Sequence, residues 1–202
     1  MINIKPVEKN IIYYKNLIQN PSEFVKMIED IDPLLENGAQ IDKWSDWYSS
    51  SRDDVMFGKN KNARFSNPKS DTPANLKAQL ITKTIKNIVT QCALDYQGKT
   101  GIEVGFLPDQ FTIKKYNEEA HMGPHVDFEG EDKVDFYPTI SMVLYLNDDF
   151  EGGELNFTEQ NVSIKPEAGS LVIFPSHKPY YHDPRPVMSG IKYMVPLFWF
   201  AN

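Results

Sequence analysis

From Gln110 to Phe200 the apolar residues of this chain recur with a period of two, in short bursts broken by turn residues. The bursts are 110–116, 139–147, 154–158, 162–165, 170–174 and 191–200. The breaks include Gly152-Gly153, Pro166 to Gly169 and Ser189-Gly190. In an extended chain successive side chains point to opposite faces, so alternation marks strands with one buried face. Short strands punctuated in this way predict an antiparallel double-sheet barrel, a jelly roll.

The first hundred residues have a different rhythm. Between Pro21 and Ile31, Phe24, Val25, Ile28 and Ile31 fall at helical spacing. Thr72 followed by Pro73 reads as an N-cap with proline in the first turn. Behind it Leu80, Ile81, Ile85, Ile88, Val89, Cys92 and Tyr96 make one apolar stripe, which predicts a helix ending near Gly98 and packed on a sheet. Between these helices Trp44 to Ser70 is polar yet carries Trp44, Trp47, Tyr48, Phe57 and Phe65. Two readings fit that segment: a lid over a site, or an irregular stretch wrapped on the core.

A chain of 202 residues with 41% hydrophobic residues can fill one core and is short for two domains. The expected fold is therefore α+β. It is a double-stranded β-helix (jelly roll) core with supporting N-terminal helices, in a single domain over residues 1–202. Residues 1–100 supply mainly helical support and the candidate lid, and residues 101–202 supply the core.

Charge and cysteine usage remove several function classes. Lys plus Arg is 21 and Asp plus Glu is 28, so the net charge is 21 − 28 = −7. Without a basic block, tight nucleic-acid binding is disfavoured, because it needs neutralised phosphates. Cys92 is the only cysteine, which excludes an intrachain disulfide or a thiolate cluster and points to a reducing compartment, the cytoplasm. The N-terminus lacks a basic start followed by an apolar run, so no secretion signal is expected. The apolar run from Met194 to Ala201 is too short to span a bilayer, and no membrane partner is expected. Nothing in the sequence specifies an oligomeric state.

The chemistry gathers around four histidines, His121, His125, His177 and His182. His125-Val126-Asp127 puts an imidazole and a carboxylate two residues apart, on one side of an extended chain. A second imidazole from a distant strand would complete the 2-His-1-carboxylate arrangement of non-haem Fe(II) oxygenases. Such a set leaves adjacent coordination positions open, which a closed structural site does not. Lys192 opens the last burst and shares its face with Met194, Pro196 and Phe198. A lysine facing inward needs an anion, and the distal carboxylate of a 2-oxo diacid would supply one.

Read together, Tyr116, His125-Val-Asp127, Tyr145-Leu-Asn147, Glu151-Gly-Gly-Glu-Leu155, His182 and Lys192 resemble the prolyl 4-hydroxylase branch of the Fe(II)/2-oxoglutarate-dependent oxygenases. The resemblance covers about residues 110–200. It implies iron bound by His125, Asp127 and His182, with His182 preferred to His177 because it lies ten residues before Lys192. It implies that Lys192 and Tyr145 hold the distal carboxylate of 2-oxoglutarate and that Tyr116 lines the cosubstrate or substrate pocket. Dioxygen would be the second cosubstrate and ascorbate a candidate reductant. The implied activity is hydroxylation of a C–H bond, first of all in a prolyl residue of a peptide or protein, with release of succinate and carbon dioxide. A free amino acid or another small molecule is the alternative substrate. Readings outside the class are a zinc hydrolase and a non-catalytic metal-binding barrel, neither of which explains Lys192. Nucleic-acid demethylation by the same cofactors is disfavoured by the acidic balance. Three departures from the family pattern stand out: Met122 where many members carry an aromatic residue, lysine rather than arginine at 192, and Pro196 in the last strand. The proline predicts an edge or a bulge there, since it cannot donate to a ladder.

Overall fold

The computed structural model describes residues 3–31, 44–46, 56–57, 60–65, 72–109, 111–130 and 137–200. In chain order the elements are β1 (Asn3–Glu8), β2 (Ile11–Lys15), α1 (Pro21–Glu29), β3 (Ser45–Asp46), β4 (Met56–Phe57), β5 (Asn60–Phe65) and α2 (Pro73–Thr100). There follow β6 (Phe111–Tyr116), β7 (His121–Met122), β8 (Pro138–Tyr145), β9 (Glu151–Gly152), β10 (Leu155–Phe157) and β11 (Val162–Ile164). The chain closes with β12 (Ser170–Pro175), β13 (His182–Pro184), β14 (Val187–Ser189) and β15 (Lys192–Phe200).

One eight-stranded sheet runs in the order β1-β2-β12-β8-β15-β6-β5-β3, and all its pairs are antiparallel. Smaller sheets, β11-β10-β13 and β14-β9, lie against its inner face. Each face of the large sheet has its own core. On the outer side Leu144, Ile173, Val195 and Leu197 pack on α1 and α2 through Phe24, Ile28, Ile81, Ile85 and Val89. On the inner side Val143, Tyr145, Phe174 and Met194 meet Leu155, Phe157 and Val187 of the small sheets. This is the double-stranded β-helix that the alternation predicts.

The six predicted strands match β6, β8, β10, β11, β12 and β15 to within about two residues, the usual uncertainty of such boundaries. Helix α2 begins as expected, with the Thr72 hydroxyl accepting the Asn75 N–H at 3.3 Å. Its end is corrected: Gly98 lies inside the helix, and Gly101, at φ 73°, donates its N–H to the Gln97 carbonyl at 2.8 Å. Glycine suits that left-handed position because no Cβ opposes it. The stripe is corrected at one position. Ile81, Ile85, Val89, Cys92 and Tyr96 are buried, whereas Leu80 is 54% exposed because it lies outside their face.

Mainly helical support over residues 1–100 also needs correction. Strands β1 and β2 extend one end of the large sheet, and β3 and β5 extend the other. Part of the candidate lid is therefore sheet backbone: β5 pairs with β6, and β4 with β7. Trp44 packs edge-on against Tyr193, with ring centroids 6.2 Å apart. Trp47, Tyr48 and the rest of 47–55, with 58–59 and 66–71, lie outside the described residues.

The contrast along α2 gives a direct test. Ile85→Ala deletes a fully buried side chain between helix and sheet and should cost about 2–5 kcal/mol in urea unfolding. Leu80→Ala should stay within about 0.5 kcal/mol of the parent.

Candidate metal centre and its cavity

His125 and Asp127 stand in the segment between β7 and β8, and His182 opens β13. Two hydrogen bonds join these segments: the His125 N–H donates to the His182 carbonyl at 3.0 Å, and the His182 N–H to the His125 carbonyl at 2.9 Å. The two imidazoles consequently lie side by side, with ring centroids 4.3 Å apart. Their Nε2 atoms reach the two oxygens of one carboxylate, each at 3.6 Å, His125 to Asp127 Oδ1 and His182 to Oδ2. One donor atom from each residue lies within 4.8 Å of the others. No other such group occurs among the described residues.

The surroundings fix which atoms face the centre. His125 Nδ1 lies 2.8 Å from the Gly123 carbonyl, and His182 Nδ1 lies 3.2 Å from the Tyr180 carbonyl. A carbonyl only accepts, so both Nδ1 atoms carry a proton and both Nε2 atoms point inward. Phe174 packs edge-on against His182 at 4.8 Å. The Ser141 hydroxyl donates to Asp127 Oδ2 at 2.6 Å and shares a 2.8 Å hydrogen bond with Ser176. Burial alone would raise the Asp127 pKa. The charges of His182 and His125 and the Ser141 hydroxyl outweigh it and hold the carboxylate below its usual range. His177 is not part of this group: it is exposed, with Nδ1 2.6 Å from the Lys178 carbonyl. His121 sits on β7, with Nδ1 2.8 Å from the Glu119 carbonyl.

A cavity of about 370 Å³ contains the three donors and reaches Tyr116, Tyr145 and Lys192. Register explains the convergence. Lys192 pairs with Tyr116, Met194 with both Tyr145 and Lys114, and Phe198 with Ser141, so alternate residues of β15 and its neighbours face inward together. Lys192 is buried, and its Nζ donates to the Gly153 carbonyl at 2.6 Å. The ammonium stands 5.3 Å from the Tyr145 ring centroid and 5.8 Å from that of Tyr116. Burial pushes the lysine pKa down to about 7. The Tyr145 hydroxyl is buried with no hydrogen-bond partner in the structure. A buried cation beside an unpartnered hydroxyl fits a carboxylate, and the donor set fits a divalent metal with open positions.

The Gly152-Gly153 turn has a steric reason. Both residues have positive φ, 74° and 68°, and a Cβ on Gly152 would lie 2.4 Å from the Pro186 carbonyl oxygen. A Cβ on Gly153 would lie 3.2 Å from Lys192 Cδ. The turn thus lets β9 meet β14 and leaves the lysine its place. Sequence reasoning missed Ser141, Ser176 and the buried, cavity-lining Lys114 as members of the site. A small hydroxyl or a long amine on a strand has no signature of its own.

Residues 111–201 match the family described as the 2OG-Fe(II) oxygenase superfamily. That stretch is a little under half of the chain, and over it the sequence is similar to that superfamily. The donor set of the centre fits the Fe(II), 2-oxoglutarate and dioxygen of its chemistry. The chain is also 43% identical over 66 residues to prolyl 3-hydroxylase 2 of Homo sapiens and of Rattus norvegicus, over 30% of its own length. It spans only 9% of the length of those relatives. A prolyl hydroxylase from Trichoplax adhaerens, solved with a hypoxia-inducible-factor peptide, superposes with a TM-score of 0.67 at 15% identity, over 95% of this chain and 84% of that one. A viral collagen prolyl hydroxylase from Paramecium bursaria Chlorella virus-1, solved with 2-oxoglutarate, gives 0.65 at 15% identity, over 96% and 97%. These superpositions establish the double-stranded β-helix.

Ser141→Ala should loosen Asp127 without touching the imidazoles. Loss of such an outer hydrogen bond typically weakens metal affinity about 10- to 100-fold. Titration with Fe(II) under anaerobic conditions, or with Mn(II), measures it.

Proposed function

We propose that this protein hydroxylates a C–H bond of a prolyl residue within a peptide or protein, consuming 2-oxoglutarate and dioxygen and releasing succinate and carbon dioxide. The observation that carries the reading is the union, in one cavity, of the His125–Asp127–His182 donors with buried Lys192 and the unpartnered Tyr145 hydroxyl. A zinc hydrolase or a non-catalytic barrel would leave that buried lysine without a purpose.

In this reading His125, Asp127 and His182 hold Fe(II), while Lys192 and Tyr145 hold the distal carboxylate of 2-oxoglutarate and Tyr116 walls its pocket. The bound iron and cosubstrate supply the oxidation, one atom of dioxygen passing to succinate and the other to the substrate. The chain does the positioning. The Gly123 and Tyr180 carbonyls accept from Nδ1 and so leave Nε2 of both imidazoles turned inward, and Ser141 keeps Asp127 turned toward them. Lys192 fixes the far end of the cosubstrate, and Leu155, Phe157, Phe174 and Met194 keep the surroundings dry. The prolyl assignment rests on the likeness to prolyl 3-hydroxylase 2 and on an apolar wall suited to a stiff, uncharged ring. Among the described residues no helix is long and apolar enough to cross a membrane. Buried Cys92 agrees with a reducing cytoplasm.

Incubation with Fe(II), 2-oxoglutarate and proline-containing peptides, reading succinate and a one-oxygen mass gain together, tests the proposal. His125→Ala, Asp127→Ala and His182→Ala should abolish both signals, and exposed His177→Ala should keep them. Oxygen gained by free amino acids but by no peptide would remove the peptidyl-proline assignment and leave the oxygenase.

Lys192 adds a pH signature. Charge-assisted contacts are worth about 1.5–3 kcal/mol, so Lys192→Ala should raise the 2-oxoglutarate Kd about 10- to 150-fold and leave metal affinity nearly unchanged. In the free protein the lysine loses its proton above about pH 7. A bound carboxylate restores that proton, so binding above pH 7 takes one up. The Kd should therefore weaken by up to about tenfold per pH unit there, a dependence absent from Lys192→Ala. Calorimetry of the Mn(II)-loaded protein at pH 8, in buffers of different ionisation enthalpy, reads the uptake. Stability of the ligand-free protein should move the other way. Because the folded pKa lies below the unfolded one, the unfolded chain holds more protons between pH 7 and about 10.4, and stability rises with pH across that window.

A further inference from the structure

The cavity has a second end that the chemistry above does not use. Along β15 the inward residues run Lys192, Met194, Pro196, Phe198 and Phe200. The metal donors sit at the level of Phe198, because its register partner Ser141 holds Asp127. Lys192 lies on one side of that level and Phe200 on the other.

Pro196 lies at the start of the second end. The ladder between β15 and β6 covers only Lys192, Tyr193 and Met194. It is not resumed after Pro196, and the next contact on that side is the Phe106–Phe200 bridge, with N–H to carbonyl distances of 3.0 Å in both directions. Beyond that ladder β6 still runs beside β15. The cavity reaches this region: Leu197 and Phe111, which belong to the core on the helical face, line it together with inward-facing Phe198. The resulting arm is walled by Leu107, Pro108, Phe111, Pro196, Phe198 and Phe200, with Thr112 as its polar member. Among the described residues every charged group lining the cavity lies elsewhere, at His125, Asp127, His182, Lys114 and Lys192. At the rim Phe106 is 40% exposed beside Phe200, with ring centroids 6.1 Å apart.

We infer that this arm is a subsite for a large uncharged side chain next to the hydroxylated residue of a peptide substrate. The inference rests on the peptidyl-prolyl reading and adds a specificity to it. Three facts carry it. The arm is continuous with the metal centre. Phe198 and Phe200 lie about 7 Å apart along the strand, the reach of two residues of extended chain. And among the described residues no charged group lines the arm to compensate a charged side chain, which would lose its hydration there. A free amino acid, carrying both of its charges, suits such a wall poorly.

The test uses peptides with one proline and each flanking position varied among Leu, Phe, Gly, Ser, Asp and Lys. The parent protein should prefer Leu or Phe over Asp and Lys at one flanking position by at least tenfold in kcat/KM. Thr112→Phe fills the arm and should shift that preference to Gly. Phe200→Ala should raise KM for the Leu and Phe peptides more than it lowers kcat. The 2-oxoglutarate Kd, measured for each variant, establishes that its site is folded. Prolines hydroxylated with no preference at any flanking position would overturn the subsite and leave the proposed function standing. Variants that change only the KM for dioxygen would also overturn it, making the arm a gas path. Oxidation of free proline with no peptide oxidised would overturn both readings.

Discussion

Two backbone hydrogen bonds between His125 and His182 tie the C-terminal half of this molecule together. They join a segment that follows β7 to a strand of a small sheet, across an interval that contains β8 through β12. The imidazoles are neighbours because their backbones are bonded. Supporting contacts grow from that bridge. Phe157 pairs with His182 in the β10–β13 ladder, Phe174 packs on the ring, Ser141 of β8 donates to Asp127, and Ser176, just after β12, is hydrogen-bonded to Ser141. Preorganisation of this kind means that binding an ion costs little rearrangement.

The second constraint is a buried charge whose desolvation outweighs the attraction of Glu154. Lys192 is buried beside two tyrosine rings, and its hydrogen bond goes to the Gly153 carbonyl. A carbonyl offsets part of the desolvation of an ammonium and none of its charge. The ammonium is costly to keep charged, with its pKa near 7, and that is the setting in which an anionic ligand would bind most favourably. The positive-φ turn at Gly152-Gly153 belongs to the same device. It supplies the carbonyl, and it omits the side chain that would crowd the lysine stem.

Much of this was legible in the sequence, and the exceptions have physical causes. Strands with one apolar face announced themselves by alternation, and β8, β12 and β15 fall where alternation put them. Strand β2 did not, because both of its faces are buried: Ile11 and Tyr13 face the inner core, Ile12 and Tyr14 the outer. A continuous apolar run has no period to read. The metal donors could be chosen because few histidines compete for the role and His-x-Asp in an extended chain points one way. Ser141 stood in plain view on the face of Tyr145, but a serine hydroxyl carries no hint of its partner until strand register places Asp127 beside it. Gly152 and Gly153 were read as a turn. The reason for two glycines needs the positions of Pro186 and Lys192.

Pro196 joins these levels. Alternation placed it inside a strand, and its missing N–H argued for an edge or a bulge. Both statements hold at once: β15 continues to pair with β8 through Pro196, while on its other side the ladder with β6 has already ended. The same residue lines the cavity, whose wall beyond it is formed by Leu107, Pro108, Phe111, Phe198 and Phe200. Strand pairing on one side and a missing donor on the other thus meet at a residue whose ring faces the space that also holds His125, Asp127 and His182.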